Sequence, residues 1–376
     1  MTSTVIPVSA MEPLEKSLCD FSGKTPLDQR FRSLFTIKGL AARSDEHMVR
    51  AIQIITDAFG DDSALLKHEL AYVLGQLEDV RALPTLRNVL EDKAQDAMVR
   101  HEAAEAMGAI SDPSVLPVLE QYKSDSDVSV RETCELAISK IQFDNSDEGR
   151  AFKAQKAAAK AKEEHDGTGG VESAFAPIDP APAMTPAASK EAAKSQAEGT
   201  SYDASQVPSF RDALLNTNLS LFERYRAMFA LRNVAHAGGE GAVQAVLALA
   251  EGLKDGSALF RHEICFVFGE LCHPASIPSM LAVLNDSQEH EMVRHEAAEA
   301  LGGIVEEESE NTTSSDEKND YSLVLQTLTK WAHDLQAPRV VRESCIVALD
   351  ELAYNNDPTQ FHRIDSTVPA APPTAA

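Results

Sequence analysis

An all-α repeat protein in two matching halves is what this sequence of 376 residues predicts. Three observations carry that expectation. A basic anchor residue recurs eight times at near-constant spacing, the apolar residues around it return every three or four positions, and the last four anchors repeat the first four.

The anchors are Arg32, Lys67, Arg100 and Arg131, at steps of 35, 33 and 31 residues, then Arg226, Arg261, Arg294 and Arg342, at steps of 35, 33 and 48. The long last step carries an extra stretch of about 17 residues around EEESENTTSSDEKND (306–320), an acidic, Ser/Thr/Asn-rich surface insert, and removing that stretch restores the step of 31. Each unit reads as two helices joined by a short turn. In LPTLRNVLED and DAMVRHEAAEAMGAI, Pro84 stands early in one helix and Gly108 near the end of the other. Leu86, Val89 and Leu90 form a stripe with helical rather than strand spacing. The pattern VRxxAAxALGxI resembles the HEAT-like repeats, which implies helix pairs that bury their apolar faces against neighbouring pairs and stack into a solenoid.

The expected organisation follows. Residues 1–143 form an N-terminal half of four repeats, and residues 208–362 a C-terminal half of four repeats that contains the insert. Residues 144–207 form a flexible linker, because segments such as AKAKEEHDGTGG and APIDPAPAMTPAASK cannot bury enough apolar surface to offset their ordering entropy. Residues 363–376, with STVPAAPPTAA, read as a disordered tail.

Composition narrows the function. An apolar content of 43% supports a real core, and a net charge of −25 argues against nucleic acid while suiting a cationic partner. Cys19, Cys134, Cys265, Cys272 and Cys345 are odd in number and lack Cys-x-x-Cys spacing, so they read as reduced, mostly core residues. No basic segment precedes a long apolar stretch at the N-terminus and no run of 18 apolar residues occurs, which points to a cytosolic protein without membrane contact.

The chemistry lies in the two residues after the anchor. In the middle two repeats of each half they are His-Glu: His68 and Glu69, His101 and Glu102, His262 and Glu263, His295 and Glu296. His262 and His295 stand 194 positions after His68 and His101. The outer repeats carry Ser33-Leu34, Glu132-Thr133, Ala227-Met228 and Glu343-Ser344 instead. Neighbouring residues on a helix diverge by about 100°, so such a pair flanks one point on the open face. Stacked helices lie about 8–10 Å apart, close enough for side chains of consecutive repeats to converge on an ion. Imidazole with carboxylate and no thiolate favours iron or manganese. The expected fold is therefore eight helix pairs in two four-repeat halves that face each other across a metal-binding groove. Glu105 and Glu299, one turn beyond Glu102 and Glu296, are candidates for supporting those ligands. Gly75, Gly108, Gly269 and Gly302, seventh after each His, permit close helix packing or termination. His47, His165, His236, His273, His290, His333 and His362 lack a counterpart in the other half and read as non-ligands.

Eight HEAT-like units in two halves, with His-Glu in the middle two units of each, resemble the deoxyhypusine hydroxylase family over the whole folded part of the chain. The resemblance implies a monooxygenase with two ferrous ions as cofactor and dioxygen as co-substrate. Its partner would be the deoxyhypusine form of eukaryotic translation initiation factor 5A, whose side chain it hydroxylates to hypusine. It implies a metal centre built from the eight His-Glu residues and a monomeric protein; no catalytic group beyond the metal is identified. Two other readings of the same residues stay open, a two-metal hydrolase and a non-catalytic scaffold that grips a partner.

Overall fold

The computed structural model describes residues 6–154, 177–185, 202–303 and 315–355, and among them every regular element is a helix. The first half contains four pairs: α1 (Glu12–Leu18) with α2 (Leu27–Ala41), α3 (Asp45–Ala58) with α4 (Ala64–Gln76), α5 (Leu83–Glu91) with α6 (Ala97–Ile110), and α7 (Leu116–Tyr122) with α8 (Val128–Asp144). The second half repeats them as α9 (Val207–Leu215) with α10 (Leu221–Ala237), α11 (Glu240–Glu251) with α12 (Ala258–Leu271), α13 (Ile277–Asn285) with α14 (Glu291–Gly302), and α15 (Ser315–His333) with α16 (Arg339–Asn355).

Local chemistry sets the boundaries. Pro84, Pro117, Pro208 and Pro278 open first helices, where no amide donor is needed. Ser63 and Ser257 cap α4 and α12 by accepting from the amides of Leu66 and Phe260 at 3.1 and 3.0 Å. Asp96 does the same for α6, and the His290 imidazole for α14.

The second helices of consecutive repeats stack upon one another, α4 on α6 on α8 and α12 on α14 on α16. Glycine makes that possible. A Cβ at Gly75 would stand 2.8 Å from Ala106 Cα, one at Gly108 3.1 Å from Ala137 Cα, and one at Gly302 2.8 Å from Ala348 Cα. Close packing, not helix termination, is what these positions require.

The two halves face each other about a pseudo-twofold relation and touch at both ends. At one end α2 meets α16, where the Arg32 guanidinium donates to both oxygens of Asp350 at 2.8 and 2.7 Å. At the other end α8 meets α10 and α12, and Phe143 packs on Phe222 with ring centroids 6.1 Å apart. Two matched bonds cross between the halves: Ser63 Oγ donates to Glu343 at 2.7 Å and Ser257 Oγ to Glu132 at 2.6 Å. Glu132 and Glu343 occupy, in the outer repeats, the position that holds His in the middle ones. The last repeat of each half thus spends that position on joining the halves.

Three expectations need correction. The linker span of 144–207 is too wide and not uniformly loose. Helix α8 reaches Asp144, residues 147–154 are helical, and α9 starts at Val207 after a turn capped by Asp203. Within the span, residues 177–185 lie against the repeats with Ala181 and Ala183 buried. Composition missed this because the segment packs by a few small apolar residues and main-chain bonds, not by a periodic stripe. The acidic insert lies outside the described residues over 304–314, whereas 315–320 form the first turns of α15. The tail lies wholly outside the described residues. The third is burial, for the His-Glu positions expected on an open face are enclosed.

Candidate metal centre

Each His-Glu pair sits in the second turn of a capped helix, on the side that faces the other half. The sequence reading placed these residues on an open groove face, but all eight are buried, with His101 and His295 fully so. The faces are open only within each solenoid. When the halves close on each other, they become the centre of the molecule.

Four imidazoles from four helices meet there. The His68 and His295 ring centroids are 5.1 Å apart, those of His262 and His295 5.3 Å, and those of His101 with His68 and with His262 5.5 Å each. Glu102 reaches back one repeat to within 3.3 Å of His68 Nε2, and Glu296 to within 3.3 Å of His262 Nε2. Three sets of donor atoms lie within 4.8 Å of one another: His68, His262 and His295; His68, His101 and Glu102; and His295, Glu296 and Glu299. Glu299 also stands 3.4 Å from His295 Nδ1 and accepts from Ser344 Oγ at 2.9 Å.

The donor atoms fit a metal. Both ring nitrogens of His68, His101 and His262, and Nε2 of His295, are buried without an aligned hydrogen-bond partner, as is one oxygen each of Glu105 and Glu263. Leaving one such group unsatisfied costs about 1–3 kcal/mol, so a cluster of them is not a packing solution in itself. Burial and the neighbouring imidazoles hold His101 well below the usual imidazole range and His295 likewise, and hold His262 at about 3. The neutral ring is the form that binds a metal. Burial opposes a charge on His68, yet Glu102 and Glu69 outweigh it and raise that ring. Burial and mutual repulsion among carboxylates push Glu263 and Glu296 far up, and Glu105 to about 8. A divalent cation would reverse that order by stabilising the carboxylates as anions.

Above the centre opens a cavity of about 200 Å³. Its floor is His68, His262 and the carboxylates of Glu69, Glu102, Glu105, Glu263, Glu296 and Glu299, and its walls include Phe35, Tyr72 and Phe266. Ile178 and Pro180 of the strap at 177–185 complete it. The strap is tied down. The Arg232 guanidinium donates to both oxygens of Asp179 and to Glu270, Gln76 Oε1 accepts from the Ile178 amide at 3.1 Å, and Met184 N donates to the Arg226 carbonyl at 2.8 Å.

Comparison with known proteins places this architecture. A family model described as HEAT repeats matches residues 37–139 and 243–350. A deoxyhypusine hydroxylase of Mycosarcoma maydis is 80% identical over 361 residues, covering 96% of this chain and 100% of that protein. The chain belongs to the deoxyhypusine hydroxylase family. A deoxyhypusine hydroxylase of Cryptococcus neoformans var. neoformans is 47% identical over 95% of this chain and 88% of its own length. The solved structure of human deoxyhypusine hydroxylase in complex with glycerol superposes with a TM-score of 0.68 at 42% identity, covering 92% of this chain and 97% of that one.

In this member of the deoxyhypusine hydroxylase family, the structure brings together all eight residues singled out from the His-Glu pattern. Glu105 and Glu299 line the cavity with six of them, all but His101 and His295. Tyr72 and Phe266 went unnoticed in the sequence although a signal was there. They follow His68 and His262 by four residues, which is the same helix face one turn on, and they correspond between the halves. Ile178, Pro180 and Asp179 carried no such signal, because the strap has neither period nor counterpart. Two anchors bond locally: Arg131 and Arg261 donate to the carbonyls of Asp125 and Asp255 at 2.6 Å each. In the first repeat of each half the expected anchors Arg32 and Arg226 are two residues out of register: the residues that take the anchor's place, fourth in the helix as Arg100, Arg131, Arg261 and Arg294 are, are Arg30 and Arg224. His273 and His290 are helix caps, while His165 and His362 lie outside the described residues.

Proposed function

We propose that this chain is a dioxygen-dependent di-iron monooxygenase that hydroxylates the deoxyhypusine side chain of eukaryotic translation initiation factor 5A. The observation that carries the reading is the convergence, from both halves on one buried point, of four imidazoles and their carboxylates, with seven of the eight ring nitrogens lacking an aligned hydrogen-bond partner. His68, His101, His262 and His295 would hold the irons, with Glu102 and Glu296, whose oxygens already approach a neighbouring imidazole. Two ferrous ions there would supply the electrons that reduce dioxygen and the oxidising power to hydroxylate an unactivated carbon.

The protein's own groups account for the substrate. Deoxyhypusine is a long aliphatic chain with two amines that are protonated at neutral pH. Glu69, Glu105, Glu263 and Glu299 line the cavity in excess of what the metals need and would receive an ammonium group by charge-assisted hydrogen bonds. Tyr72, Phe266, Phe35, Ile178 and Pro180 would enclose the methylenes and exclude water from the reacting carbon. The negative charge of the whole chain would steer the cationic side chain inward.

The same reading takes the protein as a cytosolic monomer, since both halves of the site come from one chain and the substrate is a translation factor. Metal analysis with an optical spectrum of the aerobically purified protein, followed by dioxygen consumption on the deoxyhypusine-bearing factor, tests it. Two irons per chain and substrate-dependent dioxygen uptake are expected. Uptake of no metal would leave a scaffold, and turnover of an ester or amide without dioxygen would leave a two-metal hydrolase.

A further inference from the structure

A second cleft, of about 560 Å³, lies between the end of α15 and the turn leading into α14, away from the cavity above the metal centre. Buried Arg294 and Trp331 line it together with exposed Gln336. Arg294 belongs to a set. Arg30, Arg100, Arg224 and Arg294 each donate from Nε to a main-chain carbonyl of the preceding helix or turn, those of Leu18, Leu90, Leu214 and Leu284. In the first three, a terminal nitrogen then finds a carboxylate in the next repeat: Asp61 at 2.7 Å, Asp125 at 2.6 Å and Asp255 at 2.6 Å. Asp125 stands six residues before Arg131, and the residue six before Arg342, at the same place in the last repeat of the second half, is Gln336.

The fourth arginine has therefore lost its carboxylate. Arg294 is only 2% exposed, its Nη2 is buried without a hydrogen-bond partner among the described residues, and its guanidinium lies 4.4 Å from the centroid of the Trp331 ring. An arginine stays charged when buried, so its missing anion is expensive to omit. Where Asp125 fills the corresponding space in the first half, the second half has a cleft of the volume that small ligands occupy.

We propose that this cleft binds a carboxylate group, which takes against Arg294 the place that Asp61, Asp125 and Asp255 take against the other three arginines. The planar fork of a guanidinium accepts carboxylate or phosphate equally in shape. Charge decides between them. Glu291 and Asp334 line the same cleft, while Glu289 is engaged by Arg261, so a singly charged carboxylate suffers less repulsion than a phosphate dianion. The carboxylate belongs either to a small free acid or to an acidic residue of a peptide.

Trp331 is the only tryptophan of the chain and reports on this cleft directly. The iron-loaded full-length protein is titrated at constant ionic strength with propionate, with a blocked peptide carrying one glutamate, and with inorganic phosphate, while Trp331 fluorescence is followed. A saturable change with propionate identifies a small-acid site, and one with the peptide alone a peptide site. Gln336→Asp returns the internal carboxylate and is expected to weaken either ligand at least tenfold while hydroxylation stays unchanged. Arg294→Lys, which keeps the charge but loses the fork, is the second variant should Gln336→Asp not fold, with the same weakening expected. No saturable change with either carboxylate, undiminished affinity in the variant that folds, or tighter binding of phosphate than of both carboxylates overturns the proposal.

Discussion

Replacing Gly75 by alanine should damage both the stack of repeats and the metal centre, and the same change at Gly269 should not. An added methyl at Gly75 lands 2.8 Å from Ala106 Cα and 2.9 Å from Ala106 Cβ, atoms that no rotamer change can move. Helices α4 and α6 must separate, and overpacking of this kind costs about 1–3 kcal/mol. Alanine gains about 1 kcal/mol over glycine inside a helix, which leaves Gly75→Ala between neutral and about 2 kcal/mol less stable. At Gly269 the nearest atoms, Cα and Cβ of Ala300, stand at 3.3 and 3.4 Å, so a shift of a few tenths of an ångström suffices and the helix gain is largely kept. Thermal unfolding of the metal-free proteins should therefore separate the two variants, with Gly75→Ala the lower. Iron content should separate them too, because α6 carries Glu102, which approaches His68 on α4 at 3.3 Å. Equal loss of stability in both variants, or a stabilised Gly75→Ala, would refute the argument from close packing.

Substituting any one of His68, His101, His262 and His295 by alanine should lower bound iron, measured by metal analysis; four variants that each keep two irons would remove the ligand assignment. Asp179→Asn weakens the bond to Arg232 that fixes the strap, so KM for the substrate protein should rise while iron content stays constant. In the metal-free protein, Glu105 has a folded-state pKa of about 8, above its unfolded value of 4.5, so the folded form holds the extra proton. Stability should then fall as pH rises from 4.5 towards 8, and Glu105→Gln should flatten that slope in denaturation curves recorded across the range. Each half expressed alone should retain helical circular dichroism, because repeats contact mainly their neighbours, but should not hydroxylate the substrate protein.

The sequence by itself determined the local and periodic features. Capping serines, prolines at helix starts and three-to-four-residue apolar spacing are short-range causes, so eight helix pairs and their order were legible before any coordinates. The register of His68, His101, His262 and His295 was legible for the same reason, since a residue's place in its repeat fixes which helix face it occupies. Tertiary structure decided what those faces meet. That the two halves face each other was expected from the matched His-Glu pairs, but not how tightly they close: the closure turns an open face into a buried centre and brings the His68 and His295 ring centroids to 5.1 Å. It also gives Glu132 and Glu343 their role, because a hydrogen bond to Ser257 or Ser63 exists only across the junction of the halves. The strap escaped sequence reading altogether. Its hold depends on single partners, Arg232, Gln76 and the Arg226 carbonyl, each brought near by folding of elements distant in the chain, and a contact of that kind leaves no repeat in the sequence to be read.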